Sequence, residues 1–151
     1  MRKIGSIEEL KTLAGQEVGV SDWIEITQER VNKFADATED HQWIHVDPER
    51  ARRDSPFGAP IAHGFLTLSL LPRMMETALE MPPRRLGVNY GVNRVRFPAP
   101  VPVGSRLRAR VGVISVEDID GGAQIVWSVT VEREEGGKPV CVAESVSRFY
   151  S

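Results

Sequence analysis

The segment covering residues 63–81, HGFLTLSLLPRMMETALEM, constrains the fold more than any other part of the chain. Apolar side chains such as Phe65 and Met74 occupy nearly every direction around its helical axis. A helix without a polar face is normally buried in the middle of a fold. The segment therefore predicts one long buried helix, and Pro72 should kink it because proline cannot continue the helical hydrogen-bond ladder.

The half of the chain that follows predicts an antiparallel sheet that can cover this helix. Apolar and polar residues alternate in four segments, and the stretches DIDGGAQ and EEGGK between the last three are typical of hairpin turns. In the first segment the alternation changes phase near Gly91, which predicts a β-bulge. The four segments are residues 85–97, 106–117, 125–132 and 139–150.

The residues before the long helix predict shorter elements. A serine and a glutamate with capping-box spacing predict a helix over residues 7–14. Alternating apolar residues predict a strand over residues 17–26. A threonine that can cap the next helix predicts that helix over residues 28–37. An Asp-Pro pair at residues 47 and 48 is typical of another helix start. The loop over residues 38–46 should therefore lie between two helices.

Together these elements indicate an α+β fold in which a curved antiparallel sheet is wrapped around the long central helix. A length of 151 residues suggests a single domain over residues 1–151. The ends of such a sheet leave strand edges open, which favours pairing with a second copy of the chain.

Composition argues against several classes of function. The 19 basic and 21 acidic residues give a net charge of −2, so no basic field for nucleic acid is expected. The one cysteine, Cys141, is too few for an intrachain disulfide. The N-terminal residues have no apolar core typical of a signal peptide, and no apolar run approaches the ~20 residues that span a bilayer. A cytoplasmic protein that does not insert into membranes is the expectation.

The stretch ADATEDHQWIHVDPERARRD holds the residues best suited to chemistry. Asp40 and His45 lie five positions apart and can converge on one small molecule from a bent loop. A carboxylate and an imidazole can hold one water, remove its proton and return a proton elsewhere, as addition of water to an activated double bond requires. The N–H of Gly64 at the start of the buried helix can donate to a carbonyl oxygen on which charge develops.

Two other interpretations of the same residues remain open. His41 and His45 have the spacing of two metal ligands on one helix face, with His63 as a possible third, although the segment does not form a continuous helical pattern. Alternatively, Asp40 and His45 only satisfy backbone groups of a turn. On this reading His63 orients the loop by a hydrogen bond.

The ordered motifs resemble those of a known family. The stretches ATEDHQWIHVDPERA, IAHGFLTL and NYGVNRVRFPAPVPVGS are similar to the MaoC-like (R)-specific enoyl-CoA hydratases of the hot-dog fold, and most of all to the NodN-like subgroup. The resemblance covers essentially the whole chain. It implies a homodimer with the two sheets joined edge to edge, CoA thioester substrates, and no cofactor or metal.

The resemblance also implies roles for individual residues. The catalytic pair falls on Asp40 and His45, and the backbone donor to the thioester carbonyl falls on Gly64. His63 belongs to the same substrate-binding motif. The chain departs from the broad family pattern where Asn-Pro is replaced by Gln42 and a tryptophan, and where a glycine before the aspartate is replaced by glutamate. The Gln42 amide can still orient a water or a carboxylate.

The expected activity is therefore (R)-specific hydration of a trans-2-enoyl-CoA across C2=C3, reversible as dehydration of a 3-hydroxyacyl-CoA. Two rival functions remain. A hot-dog thioesterase would also act on CoA esters, but its carboxylate would be aimed at the carbonyl carbon. A non-catalytic acyl-CoA-binding partner subunit would explain the departure at Gln42, although it would not explain why Asp40 and His45 are both present.

Overall fold

The computed structural model describes all 151 residues, which form eight strands and six helices. The strands are β1 (Arg2–Lys3), β2 (Glu17–Val20), β3 (Ile24–Glu25), β4 (Leu79–Glu80), β5 (Leu86–Arg96), β6 (Arg106–Ile119), β7 (Gly122–Arg133) and β8 (Cys141–Tyr150). The helices are α1 (Ile7–Thr12), α2 (Gln28–Thr38), α3 (Trp43–Val46), α4 (Pro48–Asp54), α5 (Gly64–Ser69) and α6 (Leu71–Ala78). None of these helices combines the length and the apolar character that crossing a bilayer requires.

An antiparallel sheet with the strand order β2-β6-β7-β8-β5 forms the body of the fold, and β3 also pairs with β6. The register between β5 and β8 shifts between Asn89 and Gly91, which confirms the bulge predicted from the change of phase. Both predicted hairpin turns are present, and three of their glycines, Gly121, Gly136 and Gly137, have positive φ. Strand β5 lies at one edge of the sheet and exposes almost its whole length.

The core lies between the inner face of this sheet and the helices. Alternate residues of β6 and β7 are fully or almost fully buried against α5 and α6, as their period of two requires. This arrangement confirms an α+β fold with an antiparallel sheet curved around a helical segment. The residues packed there are Leu107, Ala109, Val111 and Val113 of β6, Ile125, Trp127, Val129 and Val131 of β7, and Leu66, Leu71, Met74 and Ala78 of the helices.

The central helix differs from the prediction in two ways. It is two short helices that meet at Leu70, and Pro72 lies in the first turn of the second one, where its missing N–H costs no hydrogen bond. The expectation of complete burial was also wrong. Phe65 is 69% exposed, and Arg73 and Glu76 lie in solvent, where they form an ion pair.

Three further boundaries differ from the predictions. Helix α1 ends at Thr12 rather than at residue 14. The strand predicted over residues 17–26 is interrupted, so that β2 and β3 pair separately with β6. The loop over residues 38–46 contains the single helical turn α3, which no periodic pattern of four residues could indicate.

Glu39 ends helix α2 in the left-handed conformation, with φ of 60°. It is the only non-glycine residue with positive φ in the chain. This conformation brings Cβ close to the following carbonyl oxygen and costs about 1–2 kcal/mol for a residue other than glycine. The strain lies directly before Asp40.

We expect Glu39→Gly to stabilise the protein by about 0.5–1 kcal/mol, because glycine removes the steric cost but loses more entropy on folding. Urea unfolding of the two proteins measures the difference. Ala37→Gly, two residues earlier on the exposed side of α2, is the matched control and should destabilise by about 1 kcal/mol. Equal destabilisation by both substitutions would show that the turn at Glu39 is not strained.

Candidate active site

The end of α2 and the turn of α3 place the Asp40 carboxylate at the mouth of a small polar cluster. The Asp40 side chain is 55% exposed, and its Oδ1 lies 3.4 Å from the backbone N–H of Gln42, which is a long and weak hydrogen bond. Its Oδ2 lies 3.9 Å from Nε2 of His63. The carboxylate is therefore open to solvent on one side and faces buried imidazoles on the other.

His45 is buried and held in one tautomer by the backbone. Its Nδ1 lies 2.6 Å from the carbonyl oxygen of Ile61. A carbonyl only accepts, so Nδ1 carries the proton and Nε2 is the acceptor in the neutral ring. Burial lowers the pKa of His45 below its ordinary value, and proximity to His63 lowers it further, whereas the bond to Ile61 and the charge of Asp40 oppose this. The net effect favours a neutral imidazole with a free lone pair at Nε2.

His63 lies against His45 and closes the cluster. The two rings are stacked, with centroids 3.8 Å apart and an angle of 23° between their planes. Nε2 of His63 lies 3.0 Å from the backbone carbonyl oxygen of Asp40 and donates to it, while the buried Nδ1 has no partner in the chain. The ring of Phe34 packs on the other side of His63 at 5.0 Å. His63 thus links the start of α5 to the loop that carries the carboxylate, as expected for a residue that orients this loop.

Gly64 begins α5 next to this pair. Its N–H is not among the backbone groups that find an acceptor in the chain, as expected for the first residue of a helix. A Cβ at this position would lie 2.9 Å from the ring of Phe97, so packing against Phe97 also requires a glycine here. Because α5 has only six residues, the donor is the N–H group itself rather than the dipole of a long helix.

The side chains of the neighbouring loop residues make no contact with the cluster. Nε2 of His41 lies 2.9 Å from Asp36, on an exposed part of α2. Gln42 is exposed and makes no side-chain capping bond to α3. Trp43 packs against the guanidinium of Arg50 at 4.3 Å. The structure therefore brings Asp40 and His45 together with His63 and Gly64, but it separates His41 from them.

Two contributors to the site have no signal in the sequence. Ile61 supplies only its carbonyl oxygen to His45, and any residue type could do so. Gln28, in the first turn of α2, donates from Nε2 to the carbonyl oxygen of His45 at 2.8 Å and so anchors α3. The side chain of Gln28 comes from 17 residues away in the sequence, a distance over which helical or strand periodicity gives no information.

The cluster must also be considered as a metal site, since ligand atoms of Asp40, His45 and His63 all lie within 4.8 Å of one another. Metal ligands must converge on one point, usually with tetrahedral geometry for zinc. Two imidazoles stacked at 23° with centroids 3.8 Å apart hold their in-plane lone pairs in nearly parallel planes, which does not favour convergence on one ion. In addition, one nitrogen of each ring is engaged with a backbone carbonyl. This geometry suits proton transfer better than metal coordination.

A cavity of about 950 Å³ reaches two neighbours of the cluster, although Asp40, His45, His63 and Gly64 do not themselves line it. Phe34, which packs on His63, and Phe65, which follows Gly64, both belong to its wall. The helices contribute an apolar side, including Leu68, Leu71 and Met75, and the opposite side consists of β5, β7 and β8. Its volume is at the upper end of the ~300–1,000 Å³ typical of small-molecule sites, so it can hold an extended ligand.

Among solved structures, the chain is similar to an R-hydratase from Pseudomonas aeruginosa in its unliganded form. The TM-score is 0.75 at 24% sequence identity, over 96% of this chain and 85% of that chain. This similarity extends over the sheet and the helices that cover it, and it establishes the hot-dog fold.

Sequence comparison gives much closer relatives. The chain is 57% identical to the 3-hydroxyacyl-thioester dehydratase Z of Mycobacterium tuberculosis over the full length of both proteins. It is 46% identical to the nodulation protein N of Rhizobium leguminosarum bv. viciae, over 94% of this chain and 89% of that protein. The model of the MaoC like domain matches residues 9–136. The chain therefore belongs to the MaoC-like family of hot-dog proteins.

Proposed function

We propose that the protein is an (R)-specific hydro-lyase that hydrates trans-2-enoyl-CoA thioesters and dehydrates the corresponding 3-hydroxyacyl thioesters. The observation that carries this proposal is the convergence of the Asp40 carboxylate and the neutral His45 imidazole beside the unpaired N–H of Gly64. The name of the mycobacterial relative, a 3-hydroxyacyl-thioester dehydratase, supports the reaction class. The R-hydratase neighbour supports the stereochemistry.

In the hydration direction, a water molecule lies between Asp40 and His45. The exposed carboxylate accepts one O–H, and Nε2 of His45 removes the other proton as the oxygen attacks C3. The electron pair of the double bond moves toward the thioester, and the N–H of Gly64 stabilises the charge that develops on the carbonyl oxygen. The imidazolium of His45 then returns its proton to C2. Water is thus added completely, and both side chains recover their starting charge.

The remaining residues of the motif position these groups. His63 fixes the backbone of Asp40 through its carbonyl, and Gln42 faces the carboxylate with its backbone N–H. The thioester extends from Gly64, and the acyl chain enters the cavity past Phe34 and Phe65. In this mechanism neither a cofactor nor a metal takes part, since proton transfer and hydrogen bonding supply all the required chemistry.

The first test is a hydration assay on crotonyl-CoA and longer trans-2-enoyl-CoAs, with chiral analysis of the product. We expect the (R)-3-hydroxyacyl product from the unmodified protein. Asp40→Asn and His45→Gln should each lower kcat by about 10²–10⁴-fold, which is the usual contribution of a general acid or base.

His41→Ala is the matched control for these variants, because His41 lies in the same loop but faces Asp36. We expect it to keep most of the activity, and thermal unfolding should show that all three variants are folded. Near-full activity of a folded Asp40→Asn or His45→Gln protein would exclude the acid-base assignment. Release of free CoA in place of hydration would indicate a thioesterase, and loss of activity on chelation would indicate a metal site.

The acid side of the pH profile should report His45. Its pKa is lowered from the ordinary 6.5, mainly by burial, so the neutral imidazole predominates at pH 6.5. We therefore expect kcat/KM for hydration to decrease as the pH falls through the lowered pKa, with the midpoint of the decrease below pH 6.5. Steady-state rates across this range measure the profile. A midpoint at or above pH 6.5 would contradict a buried, neutral base.

We also propose that the protein forms a homodimer joined through β5, and the exposed edge of this strand supports the proposal. Leu86, Tyr90 and Val92 of this strand are 47%, 58% and 47% exposed. An open strand with apolar side chains is a template for pairing with another chain. An antiparallel pair of β5 strands would extend the sheet across both copies.

Light scattering should show a dimer at micromolar concentration. Tyr90→Glu should weaken it, because like charges would face each other near the middle of the joined strands. The new carboxylate would remain beside Arg148, which now lies 3.6 Å from the Tyr90 ring, so the fold should tolerate the change. Ile114→Glu, at an exposed apolar position of β6, is the control and should stay dimeric. A monomeric wild-type protein would contradict this assembly.

A further inference from the structure

One wall of the cavity is polar where the fold leads one to expect apolar residues. Residues directly opposite each other in neighbouring strands share one face of a sheet. Ser145 lies opposite Trp127, and Ser147 lies opposite Ile125. Both partners are fully buried on the inner face, so the two serines also face inward. On the other side of β8, Ser147 pairs with Asn89 of β5, which extends the polar wall to the sheet edge.

The rest of the inner face makes this wall unusual. Across β7, the positions of β6 that align with Ser145 and Ser147 are Val113, which is buried, and Val116, which is partly buried against the core. The hydroxyl and amide groups of Ser145, Ser147 and Asn89 thus replace apolar side chains where this face borders the cavity. Apolar residues at these positions would suit a purely hydrocarbon chain better, because burying an unpaired polar group costs free energy.

Trp127 lies directly behind the same wall, opposite Ser145. Its side chain is fully buried, and its indole N–H, which is itself shielded from the cavity, has no hydrogen-bond partner in the chain. The hydroxyls of Ser145 and Ser147 and the amide of Asn89, from two adjacent strands, form the part of the wall that can bind an oxygen atom. Trp127 lies close enough to this patch to report a ligand bound there.

We propose that the cavity selects acyl chains that carry an oxygen substituent, a hydroxyl or oxo group, on a carbon beyond C3. This inference rests on the proposed function, because it places the acyl chain of the thioester in the cavity. The helical side, with Leu68 and Met75, contacts the hydrocarbon part, and the polar wall binds the oxygen. An unsubstituted chain displaces water from this wall without replacing its hydrogen bonds, which lowers affinity.

The kinetic test compares trans-2-dodecenoyl-CoA with regioisomers that each carry one hydroxyl on a different carbon beyond C3. We expect at least one regioisomer to exceed the unsubstituted chain in kcat/KM by about tenfold, the effect of one satisfied buried hydrogen bond. In the double variant Ser145→Ala/Ser147→Ala the preference should disappear, because an apolar wall favours the plain chain. Ser128→Ala, on the outer face of β7 opposite Glu144, should keep the preference. If the wild type and the double variant preferred the hydroxylated substrate over the unsubstituted one to the same extent, the proposal would be overturned.

A binding experiment separates this proposal from the hydratase assignment, since it needs no turnover. Dodecanoic acid and its hydroxylated regioisomers are titrated into ¹⁵N-labelled protein, and the three indole N–H signals are followed by NMR. Trp23 and Trp43 stack on surface arginines and serve as internal controls, and their Phe variants assign the signals. We expect the Trp127 signal to shift with a hydroxylated acid and much less with the plain acid. Equal shifts, or none, would overturn the polar-wall proposal even if hydration is observed.

Discussion

Two buried imidazoles, each bonded to a backbone carbonyl, hold the candidate site together. His45 donates to Ile61, which leads into the central helices, and His63 donates across the gap to the carbonyl of Asp40. The stacked rings therefore connect the loop after α2, the turn α3 and the start of α5. Removal of the His45 ring would leave the buried carbonyl of Ile61 unpaired, at a cost of about 1–3 kcal/mol. The same contacts that fix the backbone also fix which nitrogen of each ring carries the proton.

This arrangement gives the carboxylate and the imidazole different environments. Asp40 is more than half exposed, so water can stabilise its charge, whereas burial and the neighbouring ring of His63 disfavour a charge on His45. A charged carboxylate can accept a hydrogen bond from one O–H of a water molecule, while a neutral imidazole nitrogen can accept the proton of the other O–H. Strain in the turn at Glu39, directly before the carboxylate, is consistent with a local geometry that the surrounding structure imposes.

Local patterns in the sequence were enough to predict the sheet and to select the residues that the candidate site brings together. Alternation in β6 and β7 predicted their buried faces, and the change of phase predicted the bulge near Gly91. The prediction that Asp40 and His45 act as a pair remains untested by activity, although the structure brings them together. Features that depend on contacts distant in sequence could not be predicted, such as the bond from Gln28 to His45. Hydrophobicity alone also could not show that Phe65 is exposed, because an apolar residue at a ligand cavity or an interface has the same pattern as a core residue.

The cavity follows from the different widths of a helix and a sheet. A helix with its side chains is about 10–12 Å across, whereas strands are about 4.8 Å apart, so one helix covers two or three strands. Helix α6 contacts β2 and β6, and α5 contacts β8, which leaves the inner face of β5 uncovered. The break at Leu70 keeps α5 directed toward the site while α6 covers the other half of the sheet. Phe65, which follows Gly64, and Phe34, which packs on His63, line this uncovered space, so the space that the helices do not fill is the space into which a thioester held at Gly64 would extend its chain.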